Sequence, residues 1–548
     1  MVLLNRIRKL RSRETGFVQR DQSADWPAVF VSYRRDDARD EVERIHAKYC
    51  ELYRDESIFW DLRDIRAGAQ FPPLLRDRVR NAVVVLVVIG PGWSSSRLRH
   101  RNDWVRQEVR IALKSQCLVV PLLVNGARMP TRNELPSDIK ALADRNYLVL
   151  SSTNFDADVG ILLHEIGPRL ADRSQLNAWE EISLFATSAG AAAFKAVETN
   201  IIAPERLALY GDKAGWYDPR INTFLLKKSL NYNPLRYRQH PQCWLAYNTS
   251  ADEARKRYAI ERKLVAGAAI RNDQKIRLAS DMGNPISEPI IVQQTDYVSS
   301  LMTDQLAFYQ VRRGEDLLFH ETDGFLNQET GALLPLSRTQ MSNQIGVSIL
   351  AFSSDGYLLF VQQTSTNSQS GGTLAPSGSG SLDWADIETI GGDDLLEVLR
   401  YGGARELIEE CGLDNHLCPS KVASDNVHIY AFARMLHRGG KPEFFGVAHL
   451  PFTAAEVHAL SPSQHERAFS KHSESARTES IDPHGDLRAE IIRICSTFSK
   501  AGHRPLNEQA LKLSYPLHHG LDLLHEAISA ETEAARRLSD FLAEGLQT

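Results

Sequence analysis

The amino-acid sequence predicts an α/β protein whose first part contains a parallel β-sheet. Near the N-terminus the apolar runs are continuous rather than alternating, as in strands that are covered on both faces. Segments with helical spacing of apolar residues separate these runs, which is the order expected for strand–helix–strand units. The chain has 548 residues, enough for three or four domains of ordinary size.

The elements of this first sheet follow from its apolar pattern. Strands are predicted at residues 28–33, 58–60, 83–89, 118–124 and 147–150. Between the first two strands, apolar residues recur at helical spacing, at Val42, Ile45, Tyr49 and Leu52. Further helices are predicted near residues 71–80 and at residues 104–113. We therefore expect a sheet with helices on both faces.

The composition excludes several classes of protein. The formal net charge of −5 leaves no basic excess for a dedicated nucleic-acid-binding protein. The six cysteines are scattered and contain no Cys-x-x-Cys pair, which favours reduced thiols over a disulfide framework or zinc site. The longest apolar run, residues 82–89, is too short to span a membrane, and the basic N-terminus lacks the apolar region of a signal peptide. We expect a cytoplasmic protein with no membrane or nucleic-acid partner.

The middle and the end of the chain give weaker patterns. Helices are predicted at residues 176–200 and 521–546, strands at 290–294 and 306–312, and a hairpin at 345–352 and 357–363. Asp218-Pro219 indicates a turn. Residues 365–380, rich in Ser, Gly and Thr, form either a loop that closes over substrate or a linker. The aromatic and basic residues of 210–247 could stack on nucleotides, but the edge of a core is the favoured interpretation.

Residues 391–413 carry the most informative motif. It reads GGDDLLEVLRYGGARELIEECGL, with fixed positions at Gly391, Glu397, Arg405, Glu406, Leu407, Glu409, Glu410, Gly412 and Leu413. Apolar or small residues recur every fourth position and predict the buried face of a helix, at Leu399, Gly403, Leu407 and Cys411. Glu406, Glu409 and Glu410 share another face and need a cation, for which Mg²⁺ or Mn²⁺ is suited. Gly412 can end the helix in the left-handed conformation.

This segment resembles a complete Nudix box. The resemblance implies an α/β/α sandwich and metal-dependent hydrolysis of a nucleoside diphosphate linked to another moiety. It implies that Glu406 and Glu409 are catalytic, that Glu406, Glu409 and Glu410 bind the metal, and that Arg405 contacts substrate. The simpler alternative is a solvated acidic helix face.

Four segments in the first part resemble the successive boxes of a bacterial-type TIR domain. They are VFVSYRRDD (29–37), IFWDLRDIRAGAQF (58–71), VVVLVVIGPGW (83–93) and NDWVRQEVRIAL (102–113). TIR domains have a flavodoxin-like fold and act either as NAD⁺-cleaving enzymes or as signalling scaffolds. The resemblance therefore leaves two functions open for this part of the chain.

The resemblance also implies a site. Glu108 lies at the catalytic position of a Trp-x-x-x-Glu motif, and Trp104 shares its helical face. Arg34 follows the first strand, at the edge where open α/β sheets bind ligands. We expect Trp104 and Arg34 to bind substrate, although Arg34 could equally form a surface ion pair. The alternative for the motif is a core tryptophan beside an exposed helix charge.

These observations predict four regions: a TIR domain at 26–170, a mixed α/β middle region at 171–339, a Nudix domain at 340–500 and a C-terminal helical segment at 501–548. The TIR domain would convert NAD⁺ to ADP-ribose or a cyclic relative, in a homo-oligomer formed through TIR contacts. The Nudix domain would hydrolyse or sense that product, and the resemblance implies a role in anti-phage defence. Alternatively, the TIR domain is only an interaction module and the Nudix domain is the only enzyme.

Overall fold

The structure is a computed structural model that divides into two compact units, residues 1–171 and 172–548. It describes residues 28–53, 57–60, 71–94, 96–171, 180–183, 206–363 with short gaps, 373–460, 470–472, 489, 492, 493 and 513–544. Within these residues, no helix is both long and apolar enough to cross a bilayer.

The first unit contains a five-stranded sheet. Its strands are β1 (Val29–Ser32), β2 (Ile58–Phe59), β3 (Val84–Ile89), β4 (Leu118–Leu123) and β5 (Leu148–Val149). Its helices are α1 (Arg35–Leu52), α2 (Phe71–Asn81), α3 (Trp104–Lys114) and α4 (Phe155–Leu170). All strand pairs are parallel, in the order β2–β1–β3–β4–β5. This is the strand order of flavodoxin-like folds, and it confirms the expected parallel sheet.

The core of the first unit follows the predicted pattern. Every residue of β3 is buried, as expected for a central parallel strand. The helix α1 buries the four apolar residues that predicted it, Val42, Ile45, Tyr49 and Leu52. Asp103 caps α3, because its side chain accepts a hydrogen bond from the Arg106 amide at 2.9 Å. The apolar pattern, which predicted a helix from residue 104, and the cap at Asp103 therefore indicate the same start for α3.

The second unit is built from more elements. Its strands are β6 (Glu180–Ser183), β7 (Arg206–Tyr210), β8 (Lys213–Tyr217), β9 (Tyr237–Gln239), β10 (Gln274–Leu278), β11 (Ile290–Asp296), β12 (Tyr309–Arg313), β13 (Asp316–His320), β14 (Gly346–Phe352), β15 (Val361–Gln363), β16 (Leu374–Ala375), β17 (Gly378–Ser381), β18 (Val427–Met435), β19 (Lys441–His449) and β20 (Ser470–His472). Its helices are α5 (Pro219–Leu230), α6 (Ser250–Val265), α7 (Tyr297–Met302), α8 (Trp384–Ile390), α9 (Leu395–Cys411), α10 (Pro419–Asn426), α11 (Ala454–Ala459), α12 (Tyr515–Ser529) and α13 (Glu533–Glu544).

A six-stranded mixed sheet organises this unit, in the order β17–β14–β19–β18–β8–β7. The central pair β14 and β19 is parallel and the other pairs are antiparallel. Three smaller sheets accompany it, in the orders β10–β11–β9, β13–β12–β6 and β16–β15–β20.

Helices cover both faces of the six-stranded sheet. On one face, Val347 and Ile349 of β14 join a hydrophobic cluster with α9. On the other face, Leu350 and Phe352 join a cluster with α12 and α13. Successive side chains of β14 point to opposite faces of the sheet, so the sheet lies between two layers of helices. The predicted C-terminal helical residues dock onto this sheet.

Two predictions in the middle of the chain are wrong. Asp218-Pro219 does not form a turn: Asp218 caps α5 by accepting a hydrogen bond from the Arg220 amide at 2.8 Å, and Pro219 occupies the first turn of the helix. Proline is favoured there because the missing amide hydrogen would have had no helical partner. Residues 180–183, within the predicted helix 176–200, form a strand that pairs with β12, and the remainder of that prediction lies outside the described residues.

The predicted hairpin and loop before the motif are also partly wrong. Phe352 and Leu358 form an antiparallel bridge, but β15 then pairs with β16 and β20 instead of β14. Residues 378–380, the end of the predicted loop, lie in β17 (Gly378–Ser381) at the edge of the six-stranded sheet. Glycine at 378 and 380 obscured this strand in the sequence. A Cβ at Gly378 would lie 2.5 Å from the Leu407 backbone, so close packing of α9 requires glycine there.

Candidate functional site

Glu108 lies on α3, opposite the carboxyl end of β1. The Ser32 hydroxyl donates a hydrogen bond of 2.6 Å to Glu108 Oε2. Ser32 is fully buried and is the last residue of β1, where pairing with β3 fixes its backbone. The carboxylate is therefore held at the edge where parallel α/β sheets bind ligands. Ser32 carries no sequence signal that links it to Glu108, because 76 residues separate the two.

Burial raises the pKa of Glu108 to about 7, and the charge of Asp103 acts in the same direction. The Ser32 hydrogen bond and the Arg34 guanidinium act in the opposite direction because both favour the carboxylate. The group therefore changes charge near neutral pH. A cation placed beside Glu108 would lower this pKa and so favour the ionised carboxylate at neutral pH.

The structure places Arg34 in a buried ion pair. Its guanidinium donates to Asp103 Oδ2 at 3.1 Å, to Asp103 Oδ1 at 3.3 Å and to the Trp93 carbonyl at 2.9 Å. Arg34 is only 7% exposed. The interaction links the loop after β1 to the N-terminus of α3, one turn from Glu108. Of the two roles expected for Arg34, the observed contacts are those of an ion pair.

Trp104 is 40% exposed and lies in the first turn of α3. The core tryptophan of this region is Trp93, which is completely buried. The interpretation of Trp104 as a core aromatic is therefore wrong. Its ring remains accessible to a ligand beside Glu108.

Asp37 holds the loop that follows β3 near the same edge. Its Oδ1 atom accepts a hydrogen bond from the Gly92 amide at 2.8 Å. A Cβ at Gly90 would lie 2.5 Å from Asp37 Oδ2, so this close approach requires glycine. The Gly-Pro-Gly sequence at 90–92 is therefore explained by packing against α1.

In the second unit, α9 contains most of the motif. Leu399, Gly403, Leu407 and Cys411 are all buried, which confirms the predicted face. Gly412 ends the helix with φ 72° and ψ 30°, in the left-handed conformation that the sequence predicted.

Arg405 forms the centre of a cluster of carboxylates. It contacts Asp386 at 3.0 Å, Asp383 at 3.2 Å, Glu406 at 2.9 Å and Glu409 at 3.4 Å. Asp383 and Asp386 lie at the start of α8 and were not among the predicted site residues. The N-terminal turn of α8 and the motif helix are brought together only by the fold.

The three glutamates of the motif do not converge on one point. Glu410 Oε2 accepts a hydrogen bond from the Ser379 amide at 2.9 Å, whereas Glu406 and Glu409 contact Arg405. Among the described residues, no group of three His, Cys, Asp or Glu side chains is placed to hold a metal ion. The residues have oxygen donors suited to Mg²⁺ or Mn²⁺, but their placement does not fit such an ion. We assign no metal-dependent step to them.

Comparison with known proteins identifies the first unit. The sequence model of the TIR domain family matches residues 29–163. The NAD(+) hydrolase sarm1 of Drosophila melanogaster is 29% identical over 120 residues, which is 22% of this chain and 9% of that protein. This chain therefore spans about a tenth of the length of that relative.

A solved structure was also matched, the TIR domains of the activated Roq1 resistosome that directly recognises the pathogen effector XopQ. The match has 16% identity and a TM-score of 0.21, and it covers 25% of this chain and 98% of that chain. The family match covers the four TIR-like segments and all strands of the parallel sheet. Residues 29–163 are a TIR domain.

Proposed function

We propose that the TIR domain cleaves the nicotinamide–ribose bond of NAD⁺ and that Glu108 is its catalytic carboxylate. The observation that carries the proposal is the Ser32–Glu108 hydrogen bond of 2.6 Å at the carboxyl edge of the sheet. The relationship to a protein named as an NAD(+) hydrolase supports it.

The chemistry requires a fixed negative charge. Breaking the bond to nicotinamide develops a cation on the ribose, and a carboxylate in a defined position stabilises that cation. Ser32 orients the Glu108 carboxylate, and the Arg34–Asp103 pair fixes the start of α3. The exposed Trp104 ring can stack on a flat ring of the ligand.

Substrate charge supplies a way to ionise the carboxyl group. Free Glu108 has a pKa of about 7 and is only partly ionised at neutral pH. The nicotinamide ring of NAD⁺ carries a positive charge, and a cation nearby lowers the pKa of a carboxyl group. Binding of NAD⁺ would therefore produce the ionised form that the reaction needs.

The test is NAD⁺ consumption by the purified full chain, followed by separation of nicotinamide from the ribose-containing product. The separation distinguishes ADP-ribose from a cyclic product. Glu108→Gln should abolish cleavage, whereas Glu165→Gln, at an exposed position on α4, should not. Equal activity of the folded Glu108→Gln variant would instead favour the alternative, a TIR domain that serves only as an interaction module.

As a second candidate function, we propose that the second unit binds an ADP-ribose-like nucleoside diphosphate through the Nudix-like motif. The match of residues 391–413 to the motif and the left-handed end of α9 at Gly412 support this proposal. The presence of helices on both faces of the six-stranded sheet also supports it.

Binding and turnover can be separated in one experiment. ADP-ribose is titrated with and without Mg²⁺, and AMP and ribose 5-phosphate are measured in the same samples. Glu409→Gln should weaken binding or stop turnover, whereas Glu388→Gln, at an exposed position on α8, should change neither. Binding without products would indicate a sensor, and products only with Mg²⁺ would indicate a Nudix hydrolase.

The two proposals together describe an NAD⁺-consuming effector whose ADP-ribose-like product is bound or hydrolysed by the second unit of the same chain. We include anti-phage defence in the cytoplasm, with assembly through TIR contacts, as the biological setting. A plaque assay with wild-type and Glu108→Gln cells tests this setting, because protection should depend on NAD⁺ cleavage.

A further inference from the structure

A buried arginine on α3 holds the loop that leads into this helix. Arg106 is only 8% exposed. Its Nη1 atom donates hydrogen bonds to the Arg99 carbonyl at 2.8 Å and to the Leu98 carbonyl at 3.4 Å. Both carbonyls belong to the β3–α3 loop, residues 90–103, which connects β3 to α3. The arginine therefore reaches back from the helix and fixes the middle of the loop that precedes it.

A carboxylate from a second segment holds the Arg106 side chain in this position. Asp138 Oδ1 accepts hydrogen bonds from Arg106 Nε at 3.0 Å and from Nη2 at 2.8 Å, and its Oδ2 accepts one from Nε at 3.2 Å. Asp138 lies between β4 and β5, in a segment that Leu135 and Ile139 anchor in the core. A guanidinium donates in several fixed directions and can therefore join separate segments. Arg106 joins the β3–α3 loop to the segment that follows β4.

Both segments lie at the edge of the sheet that carries the proposed catalytic carboxylate. The strands β1, β3 and β4 are parallel neighbours, so the segments that leave their carboxyl ends lie along one edge. Arg34 holds the two ends of the β3–α3 loop there, through the Trp93 carbonyl at 2.9 Å and Asp103 at 3.1 Å. The loop is thus fixed at its ends by Arg34 and in its middle by Arg106, and it ends directly before Trp104.

We propose that Arg106 is a positioning residue for NAD⁺: held by Asp138, it keeps the β3–α3 loop in place as one wall of the substrate cleft. The inference rests on the proposed function of the TIR domain and adds a residue that acts through the loop. A loop that is already held in one conformation loses little freedom when it binds a ligand, so loss of Arg106 should weaken binding. The Glu108 carboxylate is oriented by Ser32 on β1, so the chemical step should remain intact.

The experiment measures initial rates of NAD⁺ cleavage by the full chain over a range of NAD⁺ concentrations. Arg106→Gln should raise KM by about 10-fold and change kcat by less than about 2-fold, the pattern of lost substrate binding. A variant that was merely partly unfolded would instead lose kcat at unchanged KM. The acidic limb of the pH–rate profile should stay at its wild-type position, because the hydrogen bond between Ser32 and Glu108 is not altered.

Further variants make the result specific. Asp138→Asn should raise KM by a smaller factor, and the double variant should be no worse than Arg106→Gln, because the two side chains act as one unit. Arg106→Lys should restore only part of the binding, because a lysine cannot donate to the loop carbonyls and to Asp138 in the same geometry. Arg101→Gln, at an exposed position in the same loop, should match the wild type. This control separates the contacts of Arg106 from the loss of a positive charge near the cleft.

A binding measurement separates the inference from the proposed chemistry. NAD⁺ is titrated by calorimetry into Glu108→Gln and into the Glu108→Gln, Arg106→Gln double variant, and the dissociation constant should be about 10-fold higher for the second. If this difference is found although the wild type does not cleave NAD⁺, the proposed reaction is wrong and the positioning role of Arg106 is supported. Cleavage by Arg106→Gln with an unchanged KM would overturn the positioning role alone. A wild type that neither binds nor cleaves NAD⁺ would overturn both.

Discussion

Replacement of Glu108 by glutamine should remove NAD⁺ cleavage and at the same time stabilise the TIR domain. The change preserves size and the ability to accept the Ser32 hydrogen bond of 2.6 Å. It removes the charge that the reaction needs, and loss of one fixed electrostatic group costs about 10²–10³ in rate. It also removes a carboxylate that folding makes harder to ionise.

The effect on stability can be worked out from the pKa. Burial raises the pKa of Glu108 from 4.5 to about 7 in the folded protein. The group therefore favours folding below pH 4.5, and that contribution is lost as the pH rises from 4.5 to about 7. At about 1.4 kcal/mol per pKa unit the upper limit of this contribution is about 3.5 kcal/mol, and partial solvent access of Glu108 reduces it to about 1–2 kcal/mol.

The assay is thermal unfolding of the wild type, Glu108→Gln and the control Glu165→Gln at pH 4 and at pH 8. The glutamine variant should match the wild type at pH 4 and unfold at a temperature several degrees higher at pH 8. The control should match the wild type at both. The reasoning is refuted if Glu108→Gln gives no gain at pH 8, or if it still cleaves NAD⁺ at the parent rate.

Three further predictions rest on named contacts, and a fourth concerns assembly. Ser32→Ala should move the acidic limb of the pH–rate profile to higher pH by about one unit, because the lost hydrogen bond favours ionised Glu108; an unchanged limb would contradict this. Gly380→Ala should weaken ADP-ribose binding and destabilise the second unit by about 1–3 kcal/mol in urea titrations, because its Cβ would lie 2.2 Å from the Glu406 carboxylate. Asp218→Ala should cost about 1 kcal/mol of unfolding free energy in the same assay through loss of the α5 cap. Specific NAD⁺-cleaving activity should rise with protein concentration and shift with added ADP-ribose; a flat series would mean that the two units are merely tethered.

The sequence was sufficient for features that depend on local pattern. The five strands and the helices α1, α2 and α3 of the first unit follow from apolar spacing, whereas α4 was not predicted. The family match agrees with the four segments that suggested a TIR domain. In the second unit, the buried face of α9 and its end at Gly412 were also predictable. Periodicity and glycine at a helix end act over one or two turns, so they are visible in a short stretch of sequence.

The sequence prediction was wrong where the same residues are compatible with two different local structures. Asp218-Pro219 is suited to a turn and equally to the start of a helix, and only the apolar residues that α5 buries decide between them. Residues 378–381 have the composition of a loop but form an edge strand, because β14 offers unpaired backbone groups beside them.

Only the tertiary structure decided how the charged site residues are paired. From the sequence, Arg34 could bind a ligand or form an ion pair. In the fold, its guanidinium contacts Asp103, which lies 69 residues away in the chain. The motif glutamates share a helical face as predicted, yet Arg405 and the start of α8 determine where two of their carboxylates lie. The physical reason is that a charge acts through space over several ångströms, and its partners are set by the packing of distant elements, whereas hydrophobic periodicity is set by the helix or strand itself.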